Sequence, residues 1–470
     1  MSLSPPSLEN AAHVRRIYTL SDLPPEVIAV AFAKTSRVPH TFEQIAAELT
    51  EEKSSQFHEK WVVGYGHASV AEHAVLHIAL ENVSILATKV IEDNRLASYT
   101  EQSTRYQVYA DDRFFRPPSL LASTHAERFV ATGRALMGAY TEWVERMIAH
   151  LEPRTQRREG TSDRLWKNKI RAAACDVLRY LLPTATQTNL GWTANARVME
   201  HAITKLRSHP LEEMRAIGDE IHAVCTARVP TLLKYADAKP FLRDTPPALA
   251  ALADEQLSAA PLDDQWDVRL AHFDADAEER VVATLLYEHA STSYEETRRR
   301  IRAMDSVERA RVLDAAVAHR GKWDQVSRAF EATSYTFDVL IDYGAYRDLQ
   351  RHRMCTQIGQ PVTTAHGFVT PPEIREAQLA PAYEALMAQA RETFETIAED
   401  FPLEAQYIVP LACRKRTLFT MNLRELHHLV QLRSAPQGHI SYRRMANRML
   451  EQVRRVHPTL AAQVRCTSVD

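Results

Sequence analysis

Glycine and cysteine are both scarce in this sequence, which has 12 glycines and five cysteines in 470 residues. No GxGxxG or GxxxxGK[ST] motif occurs, so the glycine-rich loops that hold phosphates in two common nucleotide-binding folds are excluded. The cysteines are odd in number, scattered and never spaced as CxxC, which argues against a disulfide framework or a thiolate zinc site. A reducing compartment is favoured, and we expect a cytoplasmic protein.

Long hydrophobic runs and an excess of one charge are also missing. No stretch of eighteen apolar residues occurs, and the polar segment 1–10 has no signal-peptide core. The 57 basic and 60 acidic residues leave a formal charge of −3, which gives the whole molecule no attraction for nucleic acid or an anionic membrane. Neither is expected as a partner. The length and the 45% hydrophobic content suggest two or three globular domains.

The hydrophobic pattern predicts an α+β protein in which helix predominates. Residues Thr41–Val63, Ala126–Leu151 and Leu211–Tyr235 carry apolar residues at i, i+3, i+4 and i+7, as amphipathic helices do. Strand-like runs are short. Ala74–Leu80 and Ser334–Ile341 are the best of them, because their residues alternate or are rich in strand formers.

One pattern recurs in the two halves of the chain: a proline, then T-x-N-x-R, then a helix that ends in Leu-Arg. The matching residues are Pro183, Thr193, Asn195, Arg197 and Arg207 in the first half, and Pro410, Thr420, Asn422, Arg424 and Arg433 in the second. We therefore predict two related copies, at residues 1–238 and 265–470. Residues 239–264 are the predicted linker, with room for one short helix, because four prolines interrupt the periodicity.

Each copy has one unusually polar segment. Residues 93–106 read DNRLASYTEQSTRY, and residues 351–356 read RHRMCT. Guanidinium groups match phosphate bidentately and hydroxyl groups complete such a site, although a run of charges is often a solvated surface. The cations of the second segment must face water, a phosphate or an electron-rich ring, because burying them without an anion is costly.

Two further sets of reactive side chains are interpreted as structural. His67, Glu72, His73 and His77 lie close in sequence without an HExxH motif, so packing or ring stacking is favoured over metal binding. Cys355 follows the arginines directly, but nothing near it in sequence supplies the base that a thiolate nucleophile needs.

Taken together, these residues resemble the signature of the flavin-dependent thymidylate synthases, RHRxxSxNExSxRY, with its upstream HxSxxEH segment and downstream TxNAR and LR motifs. The first copy matches at Arg95, Ser98, Glu101, Ser103, Arg105 and Tyr106, but has Asp93 and Asn94 in place of Arg and His. The second copy keeps Arg351, His352 and Arg353, with Gly359 and Pro361 at the glutamate and serine positions. The signature is therefore divided between the copies.

The resemblance implies two copies of the family's fold, a small β-sheet flanked by long helices, related by a pseudo-twofold axis. It also implies reductive methylation of dUMP to dTMP, with FAD as the cofactor and NADPH and methylenetetrahydrofolate as co-substrates. No enzyme cysteine attacks the pyrimidine in this family. Because family members are homotetramers, the resemblance implies a homodimer of this chain that forms a pseudo-tetramer.

Residue roles follow from the same resemblance. The cofactor-binding set it implies is Arg351, His352, Arg353, Asn195, Arg197, Asn422, Arg424, Arg95 and Glu101. The substrate-binding set is Glu101, Ser103, Arg105 and Arg179. Arg207 or Arg433 would face the uracil edge as the catalytic cation, although Arg207 lies one residue beyond the family's position.

Two alternatives remain open at this stage. The exchange of Arg-His for Asp93-Asn94 reverses charge, which is also compatible with a diverged flavoprotein that acts on another pyrimidine nucleotide. A non-catalytic nucleotide-binding homologue is the other alternative, because neither copy alone carries the whole signature. A yellow, flavin-bound protein would argue against most versions of the latter.

Overall fold

The computed structural model describes residues 18–20, 23–36, 38–59, 68–110 and 112–469. The α-helices are α1 Pro25–Thr35, α2 Phe42–Ala47, α3 Glu51–His58, α4 Ile85–Glu92, α5 Pro118–Leu121, α6 Ala126–Leu151, α7 Asp163–Leu178, α8 Ala196–Arg207, α9 Glu212–Thr226, α10 Pro240–Leu257, α11 Ala277–Tyr287, α12 Tyr294–Ala303, α13 Ser306–Val317, α14 Tyr343–Leu349, α15 Pro372–Glu376, α16 Ala380–Ala398, α17 Leu423–Arg433, α18 Ile440–Val456 and α19 Pro458–Ala462. The strands are β1 Val75–Ser84, β2 Ala97–Glu101, β3 Gln187–Asn195, β4 Val268–Phe273, β5 Ser334–Asp342, β6 Thr356–Gly359 and β7 Arg414–Asn422.

Most of the predicted elements are present. Helix α6 has the bounds expected for Ala126–Leu151, and both strand-like runs form strands, β1 and β5. The predicted helix Thr41–Val63 is instead the two short helices α2 and α3, and its end lies outside the described residues. Thr41 and Thr50 accept hydrogen bonds from backbone N–H groups and cap these helices separately.

The predicted linker contains more helix than expected. Helix α10 is 18 residues long and includes Pro246 and Pro247. Pro240 stands in its first turn, where a missing N–H costs nothing. None of its described side chains is buried, so α10 contributes no residues to the hydrophobic core. No described helix is long and apolar enough to cross a membrane.

Two small sheets form the β structure. The first has three strands in the order β1-β3-β2, and the second has four in the order β4-β5-β7-β6. The second is antiparallel throughout, with Ser334 opposite Asn422 and Asp342 opposite Arg414 in the central pair. Strands β3 and β7 share one alternating pattern of burial, as expected for equivalent strands with one face packed on a core.

The chain forms two compact units. The first contains residues up to Leu76 together with 194–201 and 220–236, and the second contains 77–193, 202–219 and 237–470. The second unit therefore includes parts of both sequence copies. The copy boundaries at 238 and 265 stay a prediction about the repeat and are not the boundaries of these units.

A pseudo-twofold relation is visible inside the second unit. The Thr184 N–H donates to the Val409 carbonyl at 3.0 Å, and the equivalent Leu411 N–H donates to the Leu182 carbonyl at 2.9 Å. Pro183 and Pro410, the repeated prolines, face each other in an antiparallel bridge. Each copy thus makes the same backbone bonds to the other, which confirms the predicted duplicated α+β fold.

Candidate functional site

Three arginines and two aspartates form a continuous set of ion pairs in the second unit. Arg105 contacts Asp176 in a bidentate manner, with Nε 2.9 Å from Oδ1 and Nη2 3.3 Å from Oδ2. Arg179 lies 3.4 Å from Asp176 and 3.7 Å from Asp348, and Arg433 lies 3.7 Å from the other oxygen of Asp348. We call these five residues, together with Arg351, whose charge acts on Asp348, the arginine cluster.

Both sequence copies contribute to the arginine cluster. Arg105 follows β2, and Asp176 and Arg179 lie one helical turn apart at the end of α7. Asp348 lies on α14 and Arg433 ends α17, both in the second copy. The described part of the second copy has no helix between α16 and β7 that corresponds to α7. The carboxylate of Asp176 therefore has no counterpart on the other side of the pseudo-twofold axis.

Charge within the cluster is not balanced. Burial alone would raise the pKa of Asp348, but Arg179, Arg351 and Arg433 outweigh it and hold that pKa below its usual value. Arg179 is only 2% exposed, and its Nη2 has no hydrogen-bond partner. The four guanidinium groups and two carboxylates of the cluster have a formal charge of +2, and Asp342 is a third carboxylate that acts on Arg179 from outside it. A bound phosphate monoester would neutralise this charge, and guanidinium forks suit its oxygens.

His352 lies directly behind Arg433. The Arg433 Nε–H donates to His352 Nε2 at 2.9 Å, and His352 Nδ1 is 2.9 Å from Glu425. Burial lowers the pKa of His352 to about 4. Because an arginine N–H can only donate, the neutral ring must carry its proton on Nδ1, facing Glu425. His352 therefore orients Arg433, and its predicted contact with the flavin stays a prediction.

The other signature arginines reach across to strands of the opposite copy. Arg353 Nη2 donates to the Ala97 carbonyl at 2.8 Å, and its guanidinium lies 5.1 Å from the centre of the Tyr99 ring. Arg95 donates to the Thr356 hydroxyl at 3.1 Å. Arg351 is exposed. Arg95 and Arg353 thus occupy equivalent places and bind equivalent strands.

The side chain of Glu101 is buried and Ser103 is half-buried, so this polar segment is not a solvated surface loop. Glu101 forms an ion pair of 2.5 Å with Arg347, and its side chain is only 1% exposed. Arg347 also donates to Thr104 at 3.2 Å. Ser103 accepts a hydrogen bond from the Arg105 backbone N–H at 3.2 Å. Ser103 therefore shapes the turn that presents Arg105, and both substrate-binding roles stay predictions.

The repeated asparagines cap helices in both copies. Asn195 Oδ1 accepts from the Val198 N–H at 3.0 Å at the start of α8, and Asn422 Oδ1 accepts from the Glu425 N–H at 2.8 Å at the start of α17. This capping accounts for a short polar residue at that position in each copy. Their predicted place along the flavin stays a prediction.

The arginines two residues later also have equivalent partners. Arg197 forms a 2.5 Å ion pair with Glu72, and Arg424 forms a 3.1 Å ion pair with Glu331. Each glutamate lies in the 3-10 helix that precedes the first long strand of its copy, at Ala68–His73 and Arg328–Ala332. These contacts join the same two elements in each copy, and cofactor binding by Arg197 and Arg424 stays a prediction.

Arg207 is engaged away from the arginine cluster. Its guanidinium pairs with Asp219 at 2.7 Å and with Asp237 at 3.3 Å. Leu206, the residue at the position equivalent to Arg433, is fully buried. Of the two predicted catalytic cations, the described contacts bring only Arg433 into the cluster, and the role of Arg207 stays a prediction.

The residues interpreted as structural have structural contacts. The His73 ring packs against Phe32 with centroids 5.0 Å apart, and His77 Nδ1 is 2.9 Å from the Thr193 hydroxyl. His67 lies outside the described residues. No group of His, Cys, Asp and Glu among the described residues could hold a metal ion. Burial, reinforced by Glu425, raises the pKa of the Cys355 thiol, which makes it a poor nucleophile.

A cavity of about 350 Å³ opens on the sheet of the first copy. Its walls are residues of all three strands, including His77, Ser98, Tyr99, Thr100, Trp192 and Thr193. Trp192 Nε1 is buried without a hydrogen-bond partner, and Arg353 stacks on Tyr99 at the same place. Alternation along β2 and β3 places Ser98, Thr100 and Thr193 on the open side of the sheet and the stacked Tyr99 and Trp192 on its buried side, so the cavity itself offers mainly polar groups.

Three residues of the site were missed by the sequence analysis. Asp176, Asp348 and Arg347 are all charged residues on otherwise apolar helical turns. Asp176 stands three residues before Arg179 and Asp348 three before Arg351, a spacing that places charges on one helix face. This spacing of an aspartate three residues before an arginine could have indicated both aspartates from the sequence.

Comparison with known proteins agrees with this arrangement. A family model described as thymidylate synthase complementing protein matches residues 19–231 and again residues 269–459. The chain therefore belongs to that family, and it contains the family domain twice. A UPF0159 protein of Chlamydia pneumoniae is 33% identical over 427 residues, covering 87% of this chain and 80% of the relative.

Two further relatives differ in how much of the chain they match. A UPF0159 protein of Thermoplasma acidophilum is 30% identical over 458 residues, covering 89% of this chain and 90% of the relative. A flavin-dependent thymidylate synthase of Clostridium tetani is 26% identical over 213 residues, covering 45% of this chain but 82% of the relative. The first alignment spans both copies, whereas the second has the length of one.

Proposed function

We propose that the chain is a flavin-dependent thymidylate synthase with one complete composite site, which converts dUMP to dTMP with FAD, NADPH and methylenetetrahydrofolate. The observation that supports it is the arginine cluster, where both copies supply cations with a formal excess of +2 around two buried or half-buried aspartates. The proposal extends to two chains assembling as a pseudo-tetramer.

The nucleotide phosphate binds to Arg105 and Arg179, with Arg351 at the open side of the cluster. Asp176 holds the Nε and Nη2 edge of Arg105, and Nη1 donates to the Tyr442 hydroxyl at 3.3 Å, so the guanidinium is already ordered and its charge is in place before the nucleotide arrives. Arg433 lies against the pyrimidine, where its fixed charge stabilises negative charge that develops on the ring. His352 and Glu425 keep that guanidinium in one orientation.

The residues around the first-copy cavity fit a flavin. Ser98, Thr100 and Thr193 would offer hydroxyl groups on the open side of the sheet, and Trp192 Nε1, on the buried side beside Tyr99, has an unused hydrogen bond. Arg353 and the exposed Arg351 would hold the flavin's phosphates. The flavin supplies hydride and one-carbon transfer chemistry when bound, and the protein supplies position and charge.

The test is the dependence of NADPH oxidation and dTMP formation on dUMP. Arg105→Gln should lower kcat/KM for dUMP by about 10²- to 10³-fold, because one charged, preorganised contact is lost. Arg391→Gln, on an exposed pair of α16, is the matched control and should leave the rate unchanged.

The outcomes separate the competing functions. A yellow protein that oxidises NADPH only with another pyrimidine nucleotide would make the chain a diverged flavoprotein. A colourless protein that rejects added FAD yet binds dUMP would make it a non-catalytic homologue. Full activity in Arg105→Gln would rule out the composite site.

A further inference from the structure

A second group of cations lies in the second unit, apart from the arginine cluster. Lys89 pairs with Asp93, and Lys415 Nζ lies 5.5 Å from the centre of the Tyr346 ring, on which Lys89 also lies at 5.9 Å. Lys205 is close enough to Lys89 and Asp93 for both to affect its pKa. We call Lys89, Lys205, Lys415 and Asp93 the lysine cluster.

The lysine cluster overlaps the pseudo-twofold counterpart of the arginine cluster at one residue. Asp93 stands at the position of Arg351, and Lys205 precedes Leu206, which stands at the position of Arg433. Lys415 is in the buried row of β7, where the equivalent strand β3 has Thr188. Lys89 stands at the position of Arg347, which pairs with Glu101, so none of the three lysines stands at a position of the arginine cluster.

The charges of the lysine cluster are not balanced either. Asp93 pairs with Lys89 and is the carboxylate that acts on Lys205 and Lys415, so the three ammonium groups and one carboxylate of the cluster have a formal charge of +2. Lys415 is only 6% exposed. Burial first, and then the charge of Lys89, lowers the pKa of Lys415 to about 8. Buried like charges of this kind are costly without a counter-ion.

Hydrogen-bonding capacity at the same place is also unused. The Tyr343 ring stacks on Tyr346 with centroids 5.7 Å apart, and Lys415 lies 5.8 Å from its centre. The Tyr343 side chain is fully buried, and its hydroxyl has no hydrogen-bond partner. A buried donor without a partner is unusual, and an anion held by the lysines would give it one.

We propose that the lysine cluster is a second anion site, which binds the phosphate group of a small molecule. Three ammonium groups and a phenol supply donors around a tetrahedral oxyanion, and the excess of +2 matches its dianion. Ammonium groups act as point charges and impose no fork geometry. With Leu206 in place of an arginine, no charged group is left to contact a pyrimidine, so the site accepts the phosphate without selecting uracil.

Titration with inorganic phosphate tests the site on the full chain. By calorimetry at pH 7, the wild type should bind two phosphates, one per cluster. Lys415→Gln combined with Lys205→Gln should remove one of them or raise its Kd at least tenfold, and Arg105→Gln should weaken the other. Lys167→Gln, on the exposed face of α7, is the matched control and should bind two. Thermal melting establishes that each variant is folded.

Two further measurements test the second site: competition with dUMP and the pKa of Lys415. dUMP should displace phosphate from the arginine cluster at low concentration, and from the lysine cluster only at concentrations similar to those of phosphate itself, because the lysine cluster does not select the pyrimidine. Phosphate should also raise the pKa of the Lys415 amine above its value of about 8, as seen by NMR of isotopically methylated lysines. A single phosphate per folded chain that is unaffected by the lysine changes overturns the second site, while loss of dUMP turnover alone would bear only on the proposed synthase.

Discussion

The arginine cluster and the lysine cluster carry the same formal excess charge, and Asp93 of the second stands at the sequence position of Arg351 of the first. They differ in geometry. Arg105 meets Asp176 through two parallel hydrogen bonds, whereas Lys89 and Lys415 approach their neighbours as single ammonium groups. Under the proposed function, one complete composite site is enough. The lysine cluster therefore attracts an anion by charge and does not impose the fork geometry of a guanidinium group.

Two equivalent places inside the core also differ between the copies. Tyr407 donates to Glu213, which also binds Ser84. At the equivalent place Tyr180 lies 3.1 Å from Ser441, with Asp342 at the position of Ser84. The carboxylate is on helix α9 in the first network and at the cap of α14 in the second. Each copy tolerates the exchange because one carboxylate is enough to satisfy the buried hydroxyl groups.

The largest expected effect comes from Arg433, which has no charged counterpart at Leu206. Arg433→Gln should lower kcat for dTMP formation about 10³-fold, because a fixed charge beside the pyrimidine is removed. Glu425→Gln should cost about tenfold, since it disturbs only the orientation of His352. The two variants would be compared with Arg391→Gln by single-turnover kinetics. Equal losses in both would mean that Glu425 acts on the substrate itself.

An intermediate effect on stability is expected at the tyrosine networks. Glu213→Leu leaves Tyr407 and two donors of Ser84 unpaired, so unfolding should become easier by about 3 kcal/mol. Ser441→Ala, at the equivalent place, removes one partner and should cost about 1 kcal/mol. Urea denaturation measures both. If the two costs are equal, the carboxylate is not what organises the first network.

The smallest expected effect is a change of stability with pH at Glu92 and Gln350, which join α4 to the end of α14. Gln350 donates to Glu92 at 2.7 Å, and burial raises the pKa of Glu92 to about 7. The folded state therefore holds this proton more tightly than the unfolded state. Its contribution is fully present below about pH 4.5 and is lost as pH rises through about 7.

Glu92→Gln removes that titration and makes the equivalent residues identical. The difference in unfolding free energy between Glu92→Gln and the wild type should therefore grow in favour of the variant from pH 5 to pH 8. Denaturant melts at these two pH values measure it. A difference that stays constant with pH would place the titration elsewhere.

Much of the architecture was predictable from local patterns. The period of 3.6 residues placed α6 at its observed bounds, and alternation placed β1 and β5, because both signals depend only on which side chains face the core. The linker was less predictable. Four prolines indicated a break, yet α10 includes Pro246 and Pro247, and nothing in the local pattern required a helix of that length.

The site was predictable in its cations but not in its anions. Arg105, Arg179 and Arg433 follow from the family motifs, whereas Asp176 and Asp348 lie outside them. Their partners are far away in sequence, and pairing across such distances depends on how the helices pack. The lysine cluster was missed for the same reason, since Lys89, Lys205 and Lys415 are isolated residues along the chain.

The sequence by itself determined the family, the duplication and the division of the signature, because these are recorded in residue identity and spacing. Only the tertiary structure decided which part of the signature in one copy lies next to which part in the other. Helices α7, α14 and α17 bring Asp176, Asp348 and Arg433 within ion-pair distance. It also turned His352 inward behind Arg433 and gathered three separated lysines around Asp93. Charges act through space, so the balance of each cluster depends on folded distances that no linear pattern contains.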